Sequence, residues 1–167
     1  YISIHNMVAW MLGKYGTAEQ IAQWMPKLAS MEWLASYCLT EPGAGSDAAG
    51  IATRATREDD GWRIDGRKSF ITNAGTEMSL GPVVLARTGE ERQFGAFLVE
   101  RGTPGFEAGP KLRGIGWKAA DSRELFLDGV RVVDDHVIGD PARGLGQFLS
   151  ALGVGRITVA ALAIGLV

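Results

Sequence analysis

A chain of 167 residues with 46% hydrophobic side chains is long enough to bury one sizeable core. Its 17 Lys and Arg against 19 Asp and Glu leave a formal charge of -2, and the basic residues are scattered, so no nucleic-acid backbone is expected as a partner. The single cysteine, Cys38, excludes an intrachain disulfide; lying in an apolar run, it reads as a buried structural thiol of a reducing compartment.

Residues 1–31 read as helical. Ile4, Met7, Val8, Met11 and Leu12 recur at helical spacing until Gly13 and Gly16 break the pattern. Thr17-Ala18-Glu19-Gln20 is a capping box opening a second helix, with Ile21, Trp24 and Met25 on its apolar face. Pro26 marks a break before a last turn. His5, beside an apolar helix face, reads as a packed or capping residue rather than an acid–base group. Residues 34–39 form a short apolar strand ended by Thr40-Glu41-Pro42, because proline removes a backbone donor and drives Glu41 extended. Gly43-Ala44-Gly45-Ser46 follows as a small-residue loop whose backbone can approach a ligand closely, and whose N–H groups and hydroxyl suit a phosphate oxygen. Taken alone, so short a glycine motif fits an ordinary strand–turn equally well.

From residue 34 to about residue 138 the pattern is β. Residues 51–56 are β-prone, residues 58–61 supply hairpin chemistry, and residues 62–71 make the return strand with a bulge or turn at Asp65-Gly66. Residues 82–86 and 95–99 read as buried strands around a polar turn at 89–92, residues 102–105 as another turn, and residues 125–133 as a last strand-rich segment. Many short strands with Gly-rich turns predict an α+β fold, an antiparallel β-barrel or sandwich flanked by helical segments. His136 after Asp134-Asp135 reads as a solvated turn; two acids and one histidine make a poor metal site, and no metal is expected. Residues 139–146 read as a flexible connection. From Gln147 a helical pattern returns, with Phe148, Leu149, Leu152, Ile157, Ala160 and Ala161 as candidate core. The apolar tail 157–167 is too short to cross a bilayer, and no leader is visible. Tyr1 opens inside a helical pattern and Val167 stops inside one, so the chain reads as a fragment of a longer protein.

Two segments together carry a family resemblance. The first is Tyr37-Cys38-Leu39-Thr40-Glu41-Pro42-Gly43-Ala44-Gly45-Ser46-Asp47; the second is Gly66-Arg67-Lys68-Ser69-Phe70-Ile71-Thr72-Asn73-Ala74-Gly75. They resemble the acyl-CoA dehydrogenase family of flavoproteins, which carries a YxxTEPxAGSD block and then a strand ending in aromatic-Ile-Thr-Asn. The capped helix from Gly16-Thr17 to Pro26 is similar to the close of that family's helical N-terminal domain. Tyr1-Ile2-Ser3-Ile4-His5-Asn6-Met7 and Tyr37-Cys38-Leu39 look most like the isobutyryl-CoA dehydrogenase branch. The resemblance implies three parts: the end of an N-terminal helical domain over 1–33, a β middle domain binding flavin and acyl-CoA over 34–138, and a linker with the first helix of a truncated C-terminal helical domain over 139–167.

No GxGxxG opens a helix, so a nicotinamide cofactor is not expected. A flavin needs a flat side chain and donors aimed at its polar edge. The resemblance implies FAD, with Thr40 at the pyrimidine edge beside Tyr37 and the Leu39 backbone, Thr72 near N5, Phe70 against the ring, Ile71 next to it, and Gly45 and Ser46 near the diphosphate. For Thr40 and Thr72 plain β-propensity, and for Phe70 plain core packing, stay open as alternatives. Members often carry Trp at Phe70, so stacking survives and an indole hydrogen bond does not. Ser46 and Arg156 are implied substrate contacts, whereas Gly153 departs from the Asp or Asn that many members use toward CoA. The implied reaction is α,β-dehydrogenation of a short, branched acyl-CoA, in which a carboxylate takes the α-proton. No catalytic residue is assigned within this chain: Glu41 is a structural loop residue in the family, an alternative base position is Gly155 here, and the usual Glu is expected beyond Val167. Electron-transferring flavoprotein is the implied acceptor and a homotetramer the implied assembly, in the cytoplasm or, in a eukaryote, the mitochondrial matrix. A non-catalytic paralogue that keeps the fold, or an oxygen-using oxidase or monooxygenase of the same fold, are the alternatives.

Overall fold

The structure is a computed structural model and describes residues 2–89 and 92–166. The centre of the expected turn at 89–92, Glu90 and Glu91, lies outside the described residues, as do Tyr1 and Val167. Helix α1 (Ile2–Tyr15) runs through Gly13 and ends at Gly16, because buried Met7, Val8, Met11 and Leu12 outweigh the roughly 1 kcal/mol that a helical glycine costs. Helix α2 (Ala18–Ala29) starts on the expected capping box: the Gln20 N–H donates to the Thr17 hydroxyl at 3.2 Å, and the Thr17 N–H to the Gln20 side-chain oxygen at 3.0 Å. Pro26 lies inside α2 rather than breaking it. It sits one turn from the end, where a single lost ladder bond is offset by burial of Trp24 and Leu28 on either side.

Seven strands follow: β1 (Leu34–Cys38), β2 (Arg54–Glu58), β3 (Gly61–Thr72), β4 (Ser79–Arg87), β5 (Phe94–Leu98), β6 (Phe106–Ala108) and β7 (Ser122–Val133). They form one sheet in the order β1-β4-β2-β3-β7-β6, with β5 also paired to β4. The expected strands are present, except that β2 starts at Arg54 and the short edge strand β6 had no periodic signal. The sheet is not wholly antiparallel: β1 runs parallel to β4 over Leu34–Cys38. Side-chain alternation reports which face a residue takes and is silent about strand direction, which here follows from the β2–β3 hairpin inserted between the two strands.

The alternation divides two cores. Ala35 and Tyr37 on β1, Val83 and Leu85 on β4, and Ala96 and Leu98 on β5 face a cluster shared with α1 and α2. Cys38, Val84, Ala86 and Phe97, one residue out of step, face the inside of the curled sheet with Ile64, Leu125, Val130 and Val132. Two bulges bend the long β3–β7 ribbon. At the first, Asp65 opposes Asp128 and Gly129 together, so the extra residue lies on β7 and not at Asp65-Gly66; Gly129 takes φ 61° and donates its N–H to the Asp65 carboxylate at 2.8 Å. At the second, Ser69 and Phe70 lie between the Lys68–Leu125 and Ile71–Arg123 pairs.

Helix α3 (Gly144–Ile164) starts earlier than the hydrophobic pattern suggested, at the expected flexible connection. Phe148 and Ala151 enter the core while Leu149, Ile157, Val159 and Ile164 are exposed. By length and apolar composition alone α3 could reach across a bilayer, which the 157–167 tail cannot. The expected packing role of His5 holds: it is buried, accepts the Ala35 N–H on Nδ1 at 3.2 Å and donates from Nε2 to the Leu28 carbonyl at 3.0 Å. His136 is less solvated than its turn suggested, lying with its ring 5.2 Å from that of Trp24 and Nε2 3.4 Å from the Glu100 carboxylate.

Candidate functional site

Where β1 ends, the chain makes a tight turn: Glu41 and Ala44 exchange backbone hydrogen bonds at 2.9 and 3.2 Å. Pro42 stops further strand pairing, and a side chain at Gly43 or Gly45 would meet open space. The turn is fixed from beneath. The Glu41 carboxylate accepts the N–H groups of Ala52 at 2.6 Å and Thr53 at 3.0 Å and the ammonium of Lys68 at 3.0 Å. Lys68 has no exposed side chain, and it also donates to the Leu39 carbonyl at 3.0 Å. The next residue, Ser69, donates its N–H to the Thr40 carbonyl at 2.9 Å.

Phe70 then occupies the bulge with φ 59° and is 71% exposed. A phenylalanine in the left-handed region is strained, and nothing apolar in the described chain covers this ring. It is therefore not a core residue. It forms the wall between two cavities. One, of about 670 Å³, lies between α1, the β1 turn and α3 and is lined by Tyr37, Leu39, Thr40, Gly45, Phe70, Ile71 and Arg156. The other, of about 610 Å³, lies between Phe70 and the loop from Lys111 to Ala120, with Ser122 at its edge.

The first cavity thus gathers seven of the expected site residues. Among the described residues, the Thr40 hydroxyl has no hydrogen-bond partner and the Arg156 guanidinium no ion pair. Ser46 is exposed on the turn and lines neither cavity. Thr72 lies across the ribbon, its hydroxyl 3.3 Å from that of Ser122, on the side of the second cavity. Phe70 connects the two sides.

Electrostatics separate structural from available groups. Burial pushes the Cys38 thiol up to about 12, and the nearby Lys68 ammonium, which the sequence did not place there, offsets this only in part. Burial also raises Tyr37 far above its usual range, and its hydroxyl donates to the Phe148 carbonyl at 2.9 Å. Burial works to raise Glu41, yet the Lys68 charge and the hydrogen bonds it accepts hold its carboxyl below the usual range. Burial lowers Lys68 itself, against the pull of Cys38 and Glu41. A carboxylate so engaged is poorly placed to take a proton from substrate. Gly155 offers none, and it packs so closely on Met7 that a Cβ there would lie 2.5 Å from the sulfur.

Sequence reasoning missed three residues that hold this site. Lys68 stands in the second motif with no role read for it, and only the buried Glu41 beside it explains its burial. Asp121 accepts the Gly75 N–H at 2.9 Å and the Arg123 Nε at 2.8 Å, and Arg123 donates to the Gly109 carbonyl at 2.9 Å, which anchors the loop beyond Phe70.

Comparison with known proteins follows the same geometry. Residues 36–130 match the family model of the acyl-CoA dehydrogenase middle domain. The mitochondrial isobutyryl-CoA dehydrogenase of Dictyostelium discoideum is 41% identical over 169 residues, covering 99% of this chain and 40% of that protein. The structure of butyryl-CoA dehydrogenase from Megasphaera elsdenii is similar at a TM-score of 0.93 and 34% identity, over 98% of this chain and 44% of that one. A glutaryl-CoA dehydrogenase from Mycobacterium smegmatis, solved in complex with FADH2, is similar at 0.85 and 34% identity, over 93% of this chain and 39% of that one. The chain spans about two fifths of the length of these relatives. It belongs to the acyl-CoA dehydrogenase family, whose members are FAD-dependent oxidoreductases.

Proposed function

We propose that this chain is the flavin- and thioester-binding core of an FAD-dependent dehydrogenase that desaturates a short, branched acyl-CoA, with isobutyryl-CoA as its representative substrate. One observation carries the reading: an exposed aromatic ring on a strained bulge, and a threonine hydroxyl and a guanidinium that have no partner among the described residues, converge on one cavity between the sheet and two helices. These groups fit a planar ring with a polar edge. Tyr37, Leu39, Thr40, Gly45, Ser46, Phe70, Ile71 and Thr72 would hold FAD, and Ser46 and Arg156 would contact the acyl-CoA. When bound, FAD supplies the hydride acceptor. Thr40 would supply a donor to the flavin's polar edge, Phe70 would lie against the ring, and the apolar walls from Tyr37, Leu39 and α3 would exclude water. The base that takes the α-proton lies outside these residues, since Glu41 is spent and Gly155 carries no side chain.

The short, branched acyl group is supported by the 41% identity to the isobutyryl-CoA dehydrogenase of Dictyostelium discoideum. Ser3 and Met7 of α1 and Gly155 of α3 line the same cavity, and the Ser3 and Thr158 hydroxyls bond at 2.6 Å between the two helices. The division into 1–33, 34–138 and 139–167, electron-transferring flavoprotein as acceptor, a homotetrameric assembly, and a cytoplasmic or mitochondrial-matrix location belong to the same reading. The test is anaerobic. The complete protein carrying this chain is purified and its visible spectrum followed on adding isobutyryl-, butyryl- or glutaryl-CoA. Bleaching of a flavin band, fastest with isobutyryl-CoA, is expected. A colourless protein, or flavin that no acyl-CoA reduces, refutes the proposal, and faster reduction by another thioester refutes the branched substrate.

A further inference from the structure

We infer that Lys68 is a positioning residue for the flavin edge: it holds the Thr40 turn and the Phe70 bulge at a set separation. The inference rests on the flavin reading above. β1 and β3 are not neighbours in the sheet, so no ladder fixes the end of one against the other. The link is made instead by two consecutive residues of β3. Lys68 Nζ donates to the Leu39 carbonyl and to the Glu41 carboxylate, both at 3.0 Å, and the Ser69 N–H donates to the Thr40 carbonyl at 2.9 Å. Residues 39, 40 and 41 are therefore each tied to residue 68 or 69, and Phe70 follows at once in the bulge.

A buried ion pair is weak evidence for stability, because apolar replacements often serve as well. What the Lys68 ammonium supplies, and an apolar residue cannot, is a directional bond to a backbone carbonyl one residue before Thr40. Misplacement of a site by about 1 Å can cost about a hundredfold in function, so a strut at this position matters more to the ligand than to the fold.

Lys68→Met removes the donors and keeps the apolar stem, but leaves the Glu41 charge buried alone. Glu41→Gln/Lys68→Met neutralises both partners. In the complete protein, stripped of flavin and titrated with FAD, Lys68→Met is expected to lower Tm and raise the FAD Kd about tenfold or more. The double variant is expected to recover Tm while its FAD Kd stays raised about tenfold, with the bound-flavin spectrum displaced from that of wild type. A double variant that recovers Tm and FAD affinity together, or Lys68→Met binding FAD as wild type does, makes the pair merely structural and overturns the inference. If both variants fail to fold, Glu41→Gln alone decides, because it keeps the Leu39 tether. A Kd within about threefold of wild type supports Lys68 as the strut, and a larger rise transfers the role to Glu41. Wild-type protein that takes up no FAD refutes the flavin reading itself, a result distinct from all of these.

Discussion

The Tyr37 hydroxyl donates to the Phe148 carbonyl at 2.9 Å while the two rings pack at 4.6 Å between centroids, so one residue of β1 grips the first turns of α3 in two ways. This contact sets one wall of the larger cavity against the other. Tyr37→Phe keeps the ring and deletes the bond. It is expected to cost about 1 kcal/mol, because the carbonyl belongs to a helix and is not wholly orphaned. Chemical denaturation checks this, and a loss of more than about 3 kcal/mol would mean that α3 undocks.

Phe70 gives a sharper test. Were it a core residue, truncation would cost about 3–5 kcal/mol. Exposed and at positive φ, Phe70→Gly is instead expected to stabilise the flavin-free protein by about 1 kcal/mol through relief of strain, and to weaken FAD binding. Phe70→Trp should change stability by less than about 0.5 kcal/mol, since the ring projects into open space. Thermal melts with and without FAD separate these outcomes.

His5 ties stability to pH. It is buried neutral, with Nδ1 accepting from Ala35, and burial lowers its pKa against the bond to Leu28. In the unfolded chain it titrates near about 6.5, so its contribution is complete above that pH and is lost as pH falls toward the lower folded value. The melting temperature of wild type should therefore drop between about pH 7 and about pH 5, and His5→Gln should flatten that drop. Equal pH slopes in the two proteins would exclude His5 as the source.

Two glycines of α3, two residues apart, should answer oppositely to the same change. A Cβ at Gly153 meets open space, so Gly153→Ala is expected to stabilise by about 1 kcal/mol through helix propensity. At Gly155 the Cβ runs into buried Met7, and Gly155→Ala is expected to destabilise by about 1–2 kcal/mol even after that gain. Paired denaturation curves check the signs.

Local signals decided much of this protein before any fold was known. The capping box at Thr17, the hairpin before Gly61 and the apolar runs of β4 and β5 depend on neighbours in sequence, and each formed as its residues dictate. The aromatic-Ile-Thr-Asn strand end and the Thr40 turn were legible as motifs for the same reason. Other features arose only in three dimensions. The parallel pairing of β1 with β4, the transfer of the first bulge to Asp128-Gly129, the burial of Lys68 beneath Glu41 and the aim of Phe70 into solvent all join segments distant in the chain. Periodicity records which face of an element is apolar. It does not record which other element lies there, and a buried charge is tolerated only once its partner has been brought beside it.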